Sequence, residues 1–187
     1  MSQSSNVVAF PAPESGQCET IADTLSTALP DDIERAARDL LDAAAGADVA
    51  LATAESCTGG LLASILTDVT GHSSIFERAF VVYSSEAKCE LLGLDDRMVC
   101  DCGAVSEEVA RALAEAALER SRAGLAVGIT GFAGPAGPDD EEGLVHLAVA
   151  REGADTVHRA IHCGAVGRGP VRIAAIRAAL EMMREAL

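Results

Sequence analysis

Three segments of the chain hold side chains whose type and spacing suit nucleophilic and acid–base chemistry. The first, Ala54-Glu55-Ser56-Cys57-Thr58-Gly59-Gly60, lies where a buried apolar run gives way to a helical pattern. Ligands in an open α/β sheet bind at the carboxyl ends of strands. The helix that follows aims free N–H groups and its positive dipole end at the same place. Ser56 can serve there as a nucleophile, with neighbouring backbone N–H groups holding an oxyanion. The commoner role is structural: Ser56 or Thr58 caps the helix, while Gly59 and Gly60 permit close packing. Cys57 is a rival nucleophile, but adjacent side chains point apart, so at most one of the two faces a site. No Gly-x-Ser-x-Gly elbow is present.

The second segment, Phe80-Val81-Val82-Tyr83-Ser84-Ser85-Glu86-Ala87-Lys88, contains the only Tyr and the only Lys of the chain. With 13 Arg to one Lys, the sequence uses Arg for surface charge, which singles Lys88 out. A buried amine favours its neutral form and can act as a general base, whereas a guanidinium cannot. Tyr83 can orient that amine or relay a proton. The alternative is a surface Lys beside a Tyr whose ring packs and whose hydroxyl meets water. Ser85-x-x-Lys88 also matches a β-lactamase pattern, but its companion Ser-Asp-Asn and Lys-Thr-Gly motifs are missing, so that family is set aside.

The third segment is the glycine-rich Gly128-Ile129-Thr130-Gly131-Phe132-Ala133-Gly134-Pro135-Ala136-Gly137, which follows an apolar strand. Glycines there let the backbone approach a ligand and present N–H groups to an anion. An ordinary surface turn is the alternative. The segment is neither Gly-x-Gly-x-x-Gly nor a phosphate loop ending in Gly-Lys-Ser/Thr. His158, His162 and Cys163 lie close together, as do the acids of Asp139–Glu142. No second ligand pair stands at zinc spacing, so no metal site is expected.

The elements that must position these segments follow from periodicity. Ile33, Ala36, Ala37, Leu40, Leu41 and Ala44 recur at helical spacing, with Asp31 or Asp32 as a cap and Gly46 as a stop. Strands are expected over Val49–Ala54, Ala79–Tyr83 and Leu125–Ile129, and a strand pair over Leu144–Ala150 and Thr156–His162. Helices are expected over Thr58–Val69, Glu86–Leu92, Ser106–Arg120 and Val171–Leu187. Strands alternating with helices predict an α/β fold with a sheet covered on both faces, made mixed by the late hairpin.

The whole chain fits one domain: 187 residues, 49% apolar. Residues 1–32 carry three of six prolines and five acids with no Lys or Arg, which predicts a mobile acidic tail with room for a short helix over Ile21–Leu29. A formal charge of −15 and 3% aromatics exclude a phosphate-backbone binder and a base-stacking platform, so no nucleic-acid partner is expected. A small anionic metabolite is still allowed. Six cysteines form no Cys-x-x-Cys pair, and neither a signal segment nor a bilayer-length apolar run is present. A soluble cytoplasmic protein with reduced thiols and no membrane association is expected.

Taken together, Ala54–Gly60, Phe76-x-x-x-Phe80-Val81-Val82-Tyr83-Ser84-x-Glu86-Ala87-Lys88, Gly103-Ala104-Val105-Ser106 and Gly128-Ile129-Thr130-Gly131-x-Ala133-Gly134-Pro135 occur in an order that closely resembles the CinA C-terminal domain family. This family includes stand-alone nicotinamide-nucleotide amidohydrolases. The resemblance covers residues 33–187. It implies a three-layer α/β/α sandwich with a mixed, mostly parallel sheet, and hydrolysis of nicotinamide mononucleotide to nicotinate mononucleotide and ammonia in pyridine-nucleotide recycling. It implies Ser56 as nucleophile, Lys88 as base and Tyr83 as assistant, without metal or cofactor. Glu55, Cys57, Thr58, Gly59, Gly60, Thr130, Gly131, Ala133 and Gly134 match positions around that site, and Arg168 and Arg172 match its basic positions for the phosphate. Homo-oligomers, dimers in particular, are the family's habit.

Two segments depart from the family pattern. Asp140-Glu141-Glu142-Gly143-Leu144 stands where a Lys-Pro-x-Gly-Thr stretch is usual, and Gly164-Ala165-Val166-Gly167-Arg168 replaces a Gly-Asp-Arg. Both fall on the expected phosphate side. They keep two alternatives open: a catalytically silent ligand-binding or interaction module of the competence/damage-inducible type, and an amidase for a different small amide.

Overall fold

A computed structural model describes residues 29–187. The expected tail lies almost wholly outside the described residues, and so does most of the possible helix over 21–29. The elements run α1 (Asp31–Ala47), β1 (Leu51–Glu55), α2 (Leu61–Asp68), β2 (Phe76–Val81), α3 (Ser85–Leu92), α4 (Asp96–Cys102), α5 (Glu107–Glu119), β3 (Leu125–Gly131), β4 (Leu144–Arg151), β5 (Val157–His162) and α6 (Arg168–Glu185).

One five-stranded sheet, ordered β2-β1-β3-β4-β5, forms the middle layer. β1 pairs parallel with β2 and with β3, whereas β3–β4 and β4–β5 pair antiparallel. The pairings divide evenly, but only β4 runs against the other strands. The parallel trio brings the carboxyl ends of β1, β2 and β3 to one edge, where Glu55 stands beside Val81 and Ile129.

The two faces of the sheet differ in side-chain size rather than polarity. Leu51, Leu125, Val127, Ile129, Val145, Leu147 and Val149 form one core with α1, α2 and α6. Ala52, Ala54 and Ala126 face α3, α4 and α5. Ala148 and Ala150 meet Ala110 and Ala114 of α5. Helix α5 therefore lies close against the sheet. A Cβ on Gly128 would stand 2.4 Å from the Ala110 carbonyl oxygen and 2.6 Å from the Ala114 nitrogen, so only Gly permits this approach.

Several boundaries depart from the sequence pattern. Gly46 does not stop α1, which continues to Ala47 and ends at Asp48 in the left-handed region (φ 55°), its N–H reaching Ala44 and Ala45 carbonyls. At the other end Pro30 is the cap residue, and Asp31 and Asp32 lie in the first turn, where carboxylates favour the helix dipole. Helix α2 begins at Leu61 rather than Thr58, and β2 starts and ends earlier than expected. The short α4 was not anticipated; the Asp95 side chain caps it by accepting from Arg97 N–H at 2.8 Å. Ser106 does cap α5, accepting from Val109 N–H at 3.3 Å.

Candidate active site

The alternation of β1 sends Glu55 toward α2 and the next residue, Ser56, toward α3. Ser56 prolongs the sheet by one bond, its N–H donating to the Ile129 carbonyl at 3.0 Å. On the other side Val82 N–H donates to the Glu55 carbonyl at 2.8 Å, and the chain then enters α3. Ser84 caps that helix by accepting from Ala87 N–H at 3.1 Å. Capping sets the phase of α3 so that Lys88 and Leu92, one turn apart, form its buried face.

Lys88 is only 1% exposed, and its Nζ lies 3.1 Å from Ser56 Oγ. Nζ also donates to the main-chain carbonyl of Tyr83 at 3.3 Å. Burial pushes the Lys88 amine below its ordinary pKa, against the opposing influence of Cys57, Cys89 and Glu86. A neutral amine at this distance can accept the Ser56 hydroxyl proton. Burial pushes the neighbouring Cys57 thiol up to about 11, despite the nearby Arg172 guanidinium, so that thiol stays protonated at neutral pH.

These groups open onto a cavity of about 260 Å³, walled by Ser56, Lys88, Tyr83, Thr130, Arg168 and the glycine segment. Thr130, 1% exposed, donates its hydroxyl to the Ala104 carbonyl at 2.7 Å and so fastens the end of β3 to the turn before α5. That turn supplies Ala104 and Val105 to the wall, and Phe132 and Pro135 add to it. None of these four was singled out as a site residue. Their signal was present, since they lie inside the glycine-rich segment or the motifs that carry the family resemblance, but an apolar side chain or a main-chain contact does not advertise itself as a ligand contact. Arg168 covers Gly134 so closely that a Cβ there would meet its Nη2 at 2.5 Å.

Other expected site residues stand behind the wall. Arg172 donates from Nε to the Cys57 carbonyl at 2.7 Å, which braces the turn. Glu55 is fully buried and does not line the cavity. Its carboxylate accepts the N–H groups of Gly60, Leu62 and Ala63, and so caps α2 in place of Ser56 or Thr58. Gly59 and Gly60 take left-handed φ of 65° and 89°, which folds the chain back over that carboxylate. Thr58 is 1% exposed, and its hydroxyl oxygen has no hydrogen-bond partner among the described residues. Tyr83 lies at the rim, 65% exposed, and touches Lys88 through its carbonyl rather than its phenol.

Backbone donors from Ser56 to Ser64 can be accounted for one by one. Ser56, Gly59, Gly60, Leu61, Leu62, Ala63 and Ser64 all donate within the protein. Among the described residues, the N–H groups of Cys57 and Thr58 have no such acceptor. Two adjacent free donors beside a hydroxyl suit the oxygen of a tetrahedral adduct. The histidines near the end of the chain go elsewhere: His158 bonds His146 and Glu107, and His162 bonds Glu141.

Sequence and fold comparisons agree with this architecture. Residues 33–187 match the CinA C-terminal domain. A CinA-like protein of Akkermansia muciniphila is 50% identical over 111 residues, covering 58% of this chain and 27% of its own length. One from Anaeromyxobacter dehalogenans is 47% identical over 148 residues, covering 78% of this chain and 35% of its own. The chain thus spans about a quarter to a third of these curated relatives. The crystal structure of competence/damage inducible protein CihA from Agrobacterium tumefaciens superposes with a TM-score of 0.80 at 41% identity, covering 83% of this chain and 95% of that one. A competence-damaged protein (CinA) superfamily protein from Escherichia coli gives 0.79 at 32% identity, covering 85% and 94%. With residues 33–187 matching that family's domain, this chain belongs to the CinA C-terminal domain family.

Proposed function

We propose that the domain is a serine amidohydrolase that converts the carboxamide of nicotinamide mononucleotide to the carboxylate, releasing ammonia. The observation that carries this reading is the buried Lys88 Nζ 3.1 Å from Ser56 Oγ at the wall of a cavity. Lys88, neutral, takes the Ser56 proton as Oγ attacks the carboxamide carbon. The N–H groups of Cys57 and Thr58 receive the oxyanion. As the adduct collapses, Lys88 returns the proton to the departing nitrogen, and ammonia leaves. Water, deprotonated by Lys88, then cleaves the resulting ester, and Ser56 regains its proton. The sum is amide plus water to acid plus ammonia. Tyr83 assists by holding the Lys88 amine through its carbonyl.

Arg168, in the cavity wall, supplies a guanidinium for the phosphate, and Arg172 acts indirectly by bracing Cys57. The physiological setting of this reading is pyridine-nucleotide recycling in the cytoplasm by a homodimer. Ammonia release measured across nicotinamide mononucleotide, nicotinamide riboside and nicotinamide tests reaction and phosphate recognition together. Turnover of the mononucleotide, lost in Ser56→Ala and in Lys88→Arg, is expected. Full activity in Lys88→Arg, which keeps the charge and removes the basicity, would eliminate the proposed base. Faster turnover of an amide without phosphate would move the assignment to another substrate.

A further inference from the structure

Glu55 has no task in the reaction as written, although it directly precedes the nucleophile. Both of its carboxylate oxygens are occupied. Gly60 and Leu62 N–H groups donate to Oε2, each at 3.1 Å, and Ala63 N–H donates to Oε1 at 2.9 Å. The Thr53 hydroxyl adds a fourth bond to Oε1 at 3.3 Å. The side chain has no exposed surface, so water cannot substitute for any of these partners. A carboxylate placed this way is held by charge-assisted bonds and by the helix dipole.

We infer that Glu55 is the positioning residue of the nucleophile turn. By binding the first-turn donors of α2 from below, it holds residues 56–60 in the one backbone path that aims Ser56 Oγ at Lys88 Nζ. The same path leaves the N–H groups of Cys57 and Thr58 unclaimed. The carboxylate is required rather than any polar group. A Gln of the same size has one acceptor oxygen, and its amide hydrogens would face N–H donors. An Asp is one methylene short of the three nitrogens. The inference rests on the Ser56–Lys88 reading above.

The test compares wild type, Glu55→Gln and the milder Thr53→Val, which removes one donor to Glu55 at nearly constant shape. Two readouts are used. One is steady-state ammonia release from nicotinamide mononucleotide with its pH profile. The other is the rate at which a fluorophosphonate labels Ser56, followed by intact mass. In labelling, the Oγ–P bond forms, the P–F bond breaks, fluoride leaves and the Ser56 proton passes to Lys88, so no substrate is needed. Glu55→Gln is expected to lower kcat and the labelling rate about 10- to 100-fold, with KM within about twofold and the acid limb unmoved. Thr53→Val is expected to move the same two rates about two- to fivefold.

A rise in KM with unchanged kcat would make Glu55 a substrate contact and overturn the inference. An acid limb displaced to lower pH would make its effect electrostatic, acting on the Lys88 amine, and would also overturn it. Wild-type rates in both variants would do the same. If Glu55→Gln does not fold, wild-type labelling of Thr53→Val is enough to refute it. Wild type that labels at Ser56 but releases no ammonia refutes the substrate assignment alone, and the labelling comparison still decides the role of Glu55. Wild type that does neither removes the nucleophile and this inference with it.

Discussion

At the scale of single residues, two adjacent side chains on one turn are sorted by environment. Ser56 has a base at 3.1 Å, while burial holds the Cys57 thiol near 11. Alkylation with iodoacetamide at pH 7 is therefore expected to leave activity intact, and Cys57→Ala to keep it within about threefold of wild type. Mass spectrometry after labelling, together with ammonia release, checks both. Under the proposed mechanism the Lys88 amine sets the pH dependence. Its ordinary value is 10.5, and burial lowers it in the folded protein. With the neutral form as the proposed base, activity should rise with pH through the lowered value, and the acid limb of kcat/KM should fall clearly below 10.5. A limb at or above the ordinary lysine value would mean that the amine is not the titrating base.

At the scale of elements, the segments of the candidate site were more legible than their boundaries. The lone Lys against 13 Arg singled out Lys88, whereas the strand-to-helix junction alone favoured a cap at Ser56, and only the family resemblance gave the two residues their roles. The start of α2 was not legible, because its cap is the carboxylate of Glu55, five residues back from Gly60 and across the turn. Local cap rules look for a hydroxyl or carboxylate at the cap position itself. Gly46 looked like a stop, but Ala44 is the last buried residue and the helix runs one exposed residue past Gly46, to Ala47, before Asp48 takes the left-handed turn. The narrow face of Ala52, Ala54, Ala126 and Gly128 read simply as apolar strand; its closeness to α5 appears only when the layers meet.

A polar seam between elements yields a further prediction. His146 of β4 and His158 of β5 share a hydrogen bond at 3.0 Å, and His158 Nδ1 lies 3.2 Å from Glu107, which also binds Arg111 of the same helix. Burial lowers the pKa of both imidazoles below 6.5, and Glu107 opposes this. The unfolded chain then binds more protons than the folded one as pH falls through 6.5. Stability should be full above that value and decline below it. Urea unfolding at pH 7.5 and 5.5 measures the decline, and His158→Gln should flatten it.

At the scale of the whole molecule, charge and site are opposed. The chain carries −15, yet among the described residues no carboxylate lines the cavity, where Arg168 is the guanidinium and Lys88 a buried amine. An anionic substrate must approach through a repulsive field before it meets local donors. For nicotinamide mononucleotide, kcat/KM is expected to rise about twofold from 10 to 150 mM salt, as screening shortens that field. The uncharged reference amide nicotinamide should show no such rise. A fall with salt would place attraction by Arg168 above the global charge.

Ser56 Oγ and Lys88 Nζ reach each other from different strands: Ser56 follows β1, and Lys88 lies on the helix after β2, an edge strand of the sheet. A single rung, Val82 N–H to the Glu55 carbonyl, closes the gap between those strands at the level of the site. On the proposed mechanism, catalytic competence is tied to the fraying of one border ribbon rather than to the melting of the interior. The Ser56–Lys88 contact can be lost while most of the architecture is still standing.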